Sequence, residues 1–316
     1  MLGRVYCCGV DAATTATAEA RARIRRRGDL EVLTWPALDG HRLDAVVTTR
    51  PGGVSAGPYA TLNLGLHTGD TAASVRENRR RAAAALGARP ADVVWAAQPH
   101  GTGARIVTAA DRGRGADQLD GAVPGADVLV TADPGTVLAI LVADCVPIVL
   151  YDPVAHVLAC VHAGWRGTVA RVTDAALAAM ATLGTRAADV LAGIGPAVAP
   201  ERYQVGEEVA EATHRCFGGS PGQILRPDGP GHWLLDLPAA NHRILAEAGV
   251  PAAAIHVAPQ RTGAAAGATA GTSAPGTGTG AGGTPGTGAG HFFSYREQHT
   301  CGRFALLGRL AARRAE

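Results

Sequence analysis

The sequence predicts a domain that mixes strands and helices, and three observations carry this reading. Short runs rich in Val, Ile and Leu recur across residues 29–262. Between them lie segments whose apolar residues return at helical spacing. Glycine and proline punctuate the joints. With 316 residues and 47% apolar side chains, the chain is long enough to bury a core without disulfides.

In order, DAVVTTR (44–50) reads as a strand ending at the PGG turn. TAASVRENRRRAAAALG (71–87) reads as a helix stopped by glycine. DVVWAAQPHG (92–101) and ARIVTA (104–109) read as strands joined by a tight turn. VLAILVADCVPIVLYD (137–152) is apolar on both faces but broken at Asp144, Cys145 and Pro147. That pattern fits two buried strands around a bend. HVLACVHAG (156–164) is another buried strand, and TVARVTDAALAAMATLG (168–184) is an amphipathic helix. VLAGIGPAVA (190–199) reads as a strand entering a turn, and 205–217 and 237–249 read as helices.

Two regions stand apart. Residues 1–28 end in an arginine cluster and lack a signal-peptide pattern, so they are expected to be a disordered or wrongly assigned extension. The fold is then expected over 29–316, interrupted at 263–290 by a Gly/Ala/Thr/Ser/Pro tract that reads as a flexible surface loop.

Composition excludes several functions. All 29 basic residues are arginine, so Schiff-base lysine chemistry and a Walker A loop are ruled out. The net charge of +2 argues against a general nucleic-acid binder. No apolar run of 18 residues exists to span a membrane as a helix. Six irregularly spaced cysteines fit a reducing cytoplasm better than a disulfide framework. No obligate protein partner is evident.

Chemistry-bearing residues cluster at predicted strand ends. Cys145 lies beside Asp144 inside the apolar run, His162 ends the strand HVLACV, and His100 sits in QPHG before a glycine turn. A thiolate and two imidazoles are the inventory of a catalytic zinc site with a fourth position open. On spacing alone, an inert thiol and two ordinary histidines are the commoner arrangement. Arg50, followed by Gly52 and Gly53, suggests an anion site made of a guanidinium and freed backbone N–H groups. Asn63 and His67 bracket a further glycine in the same stretch. Trp165 and Arg166, next to His162, offer a stacking surface of purine size.

Taken together, these segments resemble the laccase-domain family, once called multicopper polyphenol oxidases and now regarded as zinc-dependent purine nucleoside phosphorylases. The resemblance runs through TTRPGGVSAGPYATLNLGLHTGD (48–70), ENRRR (77–81), QPHG (98–101), GADVLVT (125–131), ADCVPIVLYD (143–152), VHAGWRGT (161–168), GIGPAVAPERYQVGEEV (193–209), LDLPAAN (235–241) and FFSYR (292–296). It implies a single α+β domain of two mixed sheets flanked by helices, in α/β/β/α layers. It implies zinc on His100, Cys145 and His162, with copper as the alternative, and an active-site role for Arg50. It also implies phosphorolysis of adenosine, inosine or guanosine, with S-methyl-5′-thioadenosine cleavage and adenosine deamination as related activities. On this basis Arg50, Gly52 and Gly53 are assigned to phosphate. Asn63, His67, Trp165 and Arg166 are assigned to substrate, and Asp144 to orienting a ligand or moving a proton.

The chain departs from the family pattern at Pro99, where valine is usual, and along 111–127, which is longer. It also departs at Val198-Ala199-Pro200 and at Arg261-Thr262, where a Cys-Thr pair is usual. Three other readings stay open at this point. They are a metal-independent hydrolase with Cys145 as nucleophile and His162 as base, a copper oxidase, and a non-catalytic nucleoside-binding protein.

Overall fold

The computed structural model describes residues 22–263 and 290–312, so most of the tract expected at 263–290 lies outside the described residues. The strands are β1 (Arg23–Arg27), β2 (Leu30–Thr34), β3 (Leu43–Thr48), β4 (Val93–Trp95), β5 (Ala104–Ile106), β6 (Val128–Thr131), β7 (Val137–Val142) and β8 (Val146–Asp152). They continue with β9 (Val157–Ala163), β10 (Leu191–Ile194), β11 (Gln204–Val205), β12 (Leu225–Pro227), β13 (Trp233–Leu235), β14 (Ile255–Val257) and β15 (Phe304–Leu310). The α-helices are α1 (Ala72–Ala84), α2 (Trp165–Val169), α3 (Val172–Ala181), α4 (Glu207–Cys216) and α5 (Leu237–Glu247).

Two six-stranded mixed sheets stack face to face. The first has the order β1-β2-β3-β15-β7-β4 and the second β14-β10-β8-β9-β6-β5. A small third sheet, β11-β13-β12, adds Val205, Leu225 and Leu235 to the core on one face of the second sheet. Side-chain alternation along β7 explains the layering. Leu138, Ile140 and Val142 point inward to meet Val149, Tyr151, Leu158 and Cys160 of the second sheet. Val137, Ala139 and Leu141 point the other way, onto Ala82, Ala83 and Leu86 at the α1 side. The far face of the second sheet packs Ile148, Leu150 and Val161 against Val172, Ala176 and Met180 of α3 and Ile244 of α5. The result is the expected α/β/β/α order. Strands covered on both faces have no polar face to show, which is why they read as continuous apolar runs.

Three boundaries differ from expectation. The arginine-rich segment before residue 29 is not wholly outside the fold: β1 pairs antiparallel with β2 from Arg23↔Thr34 to Arg27↔Leu30. Its charged side chains suit an edge strand, and Arg25 and Arg27 are paired with Asp39 and Asp44. The two strands predicted around QPHG do not form a hairpin, because β4 joins β7 in one sheet and β5 joins β6 in the other. The helix predicted over 168–184 is two helices, broken at Arg171, whose φ of 61° is left-handed. Among the described residues no helix is long and apolar enough to cross a membrane.

Candidate metal centre

The connections between the two sheets place the candidate ligands. His100 lies on the link from β4 to β5, and Cys145 on the link from β7 to β8. His162 is carried by β9, where it faces Pro147 of β8. One ligand atom from each of the three falls within 4.8 Å of the others. The two imidazole rings stand edge to face, 4.8 Å apart between centroids. Gly164 allows this approach: a Cβ there would come within 3.1 Å of Cys145 Sγ and 3.3 Å of a His100 ring carbon.

Asp127, just before β6, organises the cluster, and the sequence reading missed it. Its carboxylate is fully buried. Oδ1 accepts the His100 backbone N–H at 3.0 Å and faces His162 Nδ1 at 2.8 Å, while Oδ2 accepts the Gly101 N–H at 2.7 Å. A proton on His162 Nδ1 leaves Nε2 with its lone pair free, as a metal ligand requires. The same carboxylate pins the loop that carries His100, whose φ of 67° is left-handed. Gln98 anchors the other end of that loop through a two-way amide contact with Leu141: its Nε2 donates to the carbonyl at 2.6 Å and its Oε1 accepts the N–H at 2.8 Å. Pro99 is thus held between two fixed residues. The signal for Asp127 was present in the sequence: a lone carboxylate opens the apolar run DVLVT within the GADVLVT block.

The electrostatics favour a thiolate. Burial raises the Cys145 pKa, but the charges and hydrogen bonds of His162 and His100 outweigh it and hold the thiol at about 6. Burial likewise depresses His162, yet Cys145 and Asp127 carry it up to about 9. Once a metal ion displaces the second proton of His162, two imidazoles and a thiolate would make a soft-to-borderline donor set suited to one transition-metal ion. Among the described residues this is the one group of three or more metal-ligating side chains.

The other sequence-selected residues fall into three groups. Arg50 lies just beyond β3. Its Nε donates to the Ala60 carbonyl at 2.6 Å and its guanidinium lies 4.9 Å from the Phe293 ring centre, leaving both Nη groups without a partner among the described residues. Burial lowers its pKa, opposed by Cys301 and Glu297. His67 has an exposed side chain, and its pKa is lowered by partial desolvation and then by Arg303, Arg79 and His100. Trp165 is half-buried, with the Arg166 guanidinium 4.2 Å from its ring.

Gly52, Gly53 and Asn63 do not reach out to a ligand as expected. The Gly53 N–H donates to Thr61 Oγ1 at 3.0 Å and the next N–H, of Val54, to Asn78 Oδ1 of α1 at 2.8 Å, so the turn spends these two donors within the fold. A Cβ on Gly53 would sit 2.0 Å from the Thr61 carbonyl oxygen, and Gly52 has a φ of +98°, so the two glycines serve close packing and a turn. Asn63 is fully buried; it donates to Thr68 and Asp70 and accepts the N–H groups of Gly65 and Arg303.

Asp144 is also reassigned. Its Oδ1 accepts from Thr262 Oγ1, and its Oδ2 accepts the Arg296 N–H at 2.6 Å. The carboxylate thus ties a side chain and a backbone N–H on either side of residues 264–289, whereas the carboxylate that contacts His162 and the His100 loop is Asp127. Around Asp144 the fold brings in two residues not selected from sequence. Arg296 lies 4.9 Å from the ring centre of Tyr203. Burial and the charges of Cys145 and Asp144 push the Tyr203 hydroxyl up to about 12.

A family model described as multi-copper polyphenol oxidoreductase laccase matches residues 44–310. The chain belongs to this family. Within it, the chain is 39% identical over 219 residues to the purine nucleoside phosphorylase YlmD of Geobacillus stearothermophilus, covering 69% of this chain and 80% of that one. It is 45% identical over 203 residues to a purine nucleoside phosphorylase of Deinococcus radiodurans, covering 64% and 74% of the two chains. The crystal structure of the Geobacillus YlmD superposes with a TM-score of 0.78 at 32% identity, over 92% of this chain and 99% of that one. Bacillus licheniformis YfiH gives the same TM-score at 28% identity, over 91% and 98%. The expected family and fold are therefore both found.

Proposed function

We propose that this protein is a zinc-dependent purine nucleoside phosphorylase, cleaving adenosine, inosine or guanosine with phosphate to the free base and ribose 1-phosphate. The observation that carries the reading is the convergence of His100, Cys145 and His162 on one point, with Asp127 fixing the tautomer of His162. The names borne by the Geobacillus and Deinococcus relatives supply the substrate class.

Zinc is favoured over copper by the donors at hand. A His₂Cys copper centre takes a weak axial ligand, commonly methionine. Met180, the only methionine among the described residues, is packed in the core beside α3. When bound, zinc supplies Lewis acidity toward a substrate oxygen or nitrogen. The chain's own residues do the rest. Arg50 offers two free Nη groups to phosphate, assisted by exposed His67. Trp165, carrying Arg166, offers an aromatic face to the base. The phosphate contact rests on the Arg50 side chain and not on the glycine turn beside it.

The test is product analysis with adenosine, with and without phosphate, on protein of known metal content. Adenine formed only with phosphate, and lost in Cys145→Ala along with the metal, supports the proposal. Inosine formed in both conditions makes the protein a deaminase instead. Full turnover by a metal-free protein, abolished by thiol alkylation, makes it a Cys145–His162 hydrolase.

A further inference from the structure

Each candidate ligand needs something to aim it. The His100 loop is pinned by Asp127 and Gln98, and the His162 ring faces Asp127. Those contacts do not involve the link that carries Cys145. That link is short: only Ala143, Asp144 and Cys145 separate the end of β7, in the first sheet, from the start of β8, in the second. The chain changes sheets within these residues, and Asp144 turns it with a left-handed φ of 97°. A residue that carries a Cβ keeps such a backbone only where its surroundings impose it.

Three hydrogen bonds impose it, each from a different part of the chain. The Asp144 carbonyl accepts the Val198 N–H at 3.1 Å. On the side chain, Oδ1 accepts from Thr262 Oγ1 and Oδ2 accepts the Arg296 N–H at 2.6 Å. The partner segments are also joined to one another. The Thr262 N–H donates to the Ala197 carbonyl at 2.9 Å, and the Gly263 N–H to the Phe292 carbonyl at 3.3 Å. The carboxylate is buried, and each of its oxygens holds one of these segments. Hydrogen bonds to an ionised carboxylate are the strong kind. Asp144 thus closes a ring of bonds around the turn that presents the ligand thiol.

We infer that Asp144 is a positioning residue of the metal centre: its carboxylate locks the turn that aims Cys145 at the point shared with His100 and His162. The inference rests on the metal centre proposed above and not on which nucleoside is cleaved. Asp144 acts through the backbone, because its two oxygens are occupied by Thr262 and Arg296. With the turn locked, little ordering of the Cys145 link remains to be done when an ion is captured. Releasing the carboxylate leaves the thiol on a loose link, and the cost falls on metal affinity.

The test measures zinc affinity by chelator competition in the parent protein, Asp144→Gly, Asp144→Asn and Thr262→Val. Glycine adopts a positive φ without strain, so Asp144→Gly cuts the clamp and leaves the turn accessible. Asparagine also tolerates a positive φ and rebuilds the clamp without its charge: its Oδ1 accepts the Arg296 N–H and its Nδ2 donates to the Thr262 hydroxyl. The expected result is a fall in zinc affinity of roughly 10–100-fold in Asp144→Gly, with Asp144→Asn within about 3-fold of the parent. In cobalt-loaded protein, the sulfur-to-cobalt charge-transfer absorption, which reports the Cys145 bond, should weaken in Asp144→Gly and return in Asp144→Asn. Parental zinc affinity in Asp144→Gly would overturn the proposal. An equal loss in both variants would also overturn it, by assigning the effect to the negative charge and not to the clamp. Thr262→Val leaves residue 144 intact and removes one bond, so it serves even if Asp144→Gly does not fold. Its affinity should fall on the order of 3–10-fold, and an unchanged value would refute the clamp. If the parent protein binds no zinc, the metal centre itself falls and takes this proposal with it.

Discussion

Replacing Asp127 with asparagine separates the orienting carboxylate from the ligands it serves. The native carboxylate is buried and meets three N–H groups, from His100, Gly101 and the His162 ring. Asparagine keeps one oxygen and turns an amide NH₂ toward the rest, so a donor must face a donor. Hydrogen bonds to a charged group are worth about 1.5–3 kcal/mol each. With part of the set retained by the remaining oxygen, the expected loss is about 2–3 kcal/mol. For a domain of this size that lowers the melting temperature by about 3–5 °C. The effect on metal is separable. Loss of an orienting partner weakens metal affinity roughly 10–100-fold, or about 1.4–2.7 kcal/mol. Competition with a chromophoric chelator measures the affinity, and calorimetry of the metal-free protein measures the stability. An Asp127→Asn protein that binds zinc and melts like its parent would refute the assignment.

Other consequences follow from the same geometry. In the metal-free protein the Cys145 pKa is depressed to about 6, so its thiolate contributes stability above the unfolded-state value and loses it as pH falls through 6. Alkylation of Cys145 by iodoacetamide should therefore be half-maximal near pH 6 and should be suppressed by added zinc. A midpoint near 8.5, that of a free thiol, would contradict this. Gly164→Ala places a methyl against Cys145 Sγ and the His100 ring, so zinc affinity should fall about 10-fold or more while the fold survives; unaltered affinity on chelator titration would mean that the ligands have slack. Arg79 is buried, donates to the carbonyls of Leu64, Gly115 and Ala116, and lies 3.8 Å from the Trp95 ring centre. Arg79→Lys cannot reproduce that fork and should cost roughly 2–4 kcal/mol in denaturant unfolding. A loss under about 0.5 kcal/mol would show that the fork is dispensable.

How much of this was legible in the sequence depended on what each segment had to do. β7, β8 and β9 were readable because both of their faces are buried, so their composition is uniform. β1 was hidden because an edge strand bearing arginines resembles a solvated tail. The break at Arg171 was hidden because the apolar period continues across it, while the left-handed residue carries a side chain usually found inside helices. The ligands His100, Cys145 and His162 stood out as polar residues at the ends of apolar strands. Asp127 stood in the same kind of place, but a carboxylate there also reads as an ordinary turn. Gly53 and Asn63 show a different limit of the sequence. Sequence shows that a donor exists but not what it bonds: the Gly53 N–H and the Asn63 amide bond Thr61, Thr68 and Asp70.

The position of β15 has a bearing on how the protein comes into being. This strand, residues 304–310, lies between β3 and β7 in the middle of the first sheet. During synthesis β3 and β7 emerge long before it, and each waits with one edge unsatisfied until the low-complexity tract and then β15 leave the ribosome. The first sheet, and with it the link that presents Cys145, is completed only at that late moment. A ribosome stalled within the tract would hold a chain containing all three ligands and no finished scaffold to align them. A metal ion held by His100, Cys145 and His162 would therefore meet aligned ligands only after β15 has emerged.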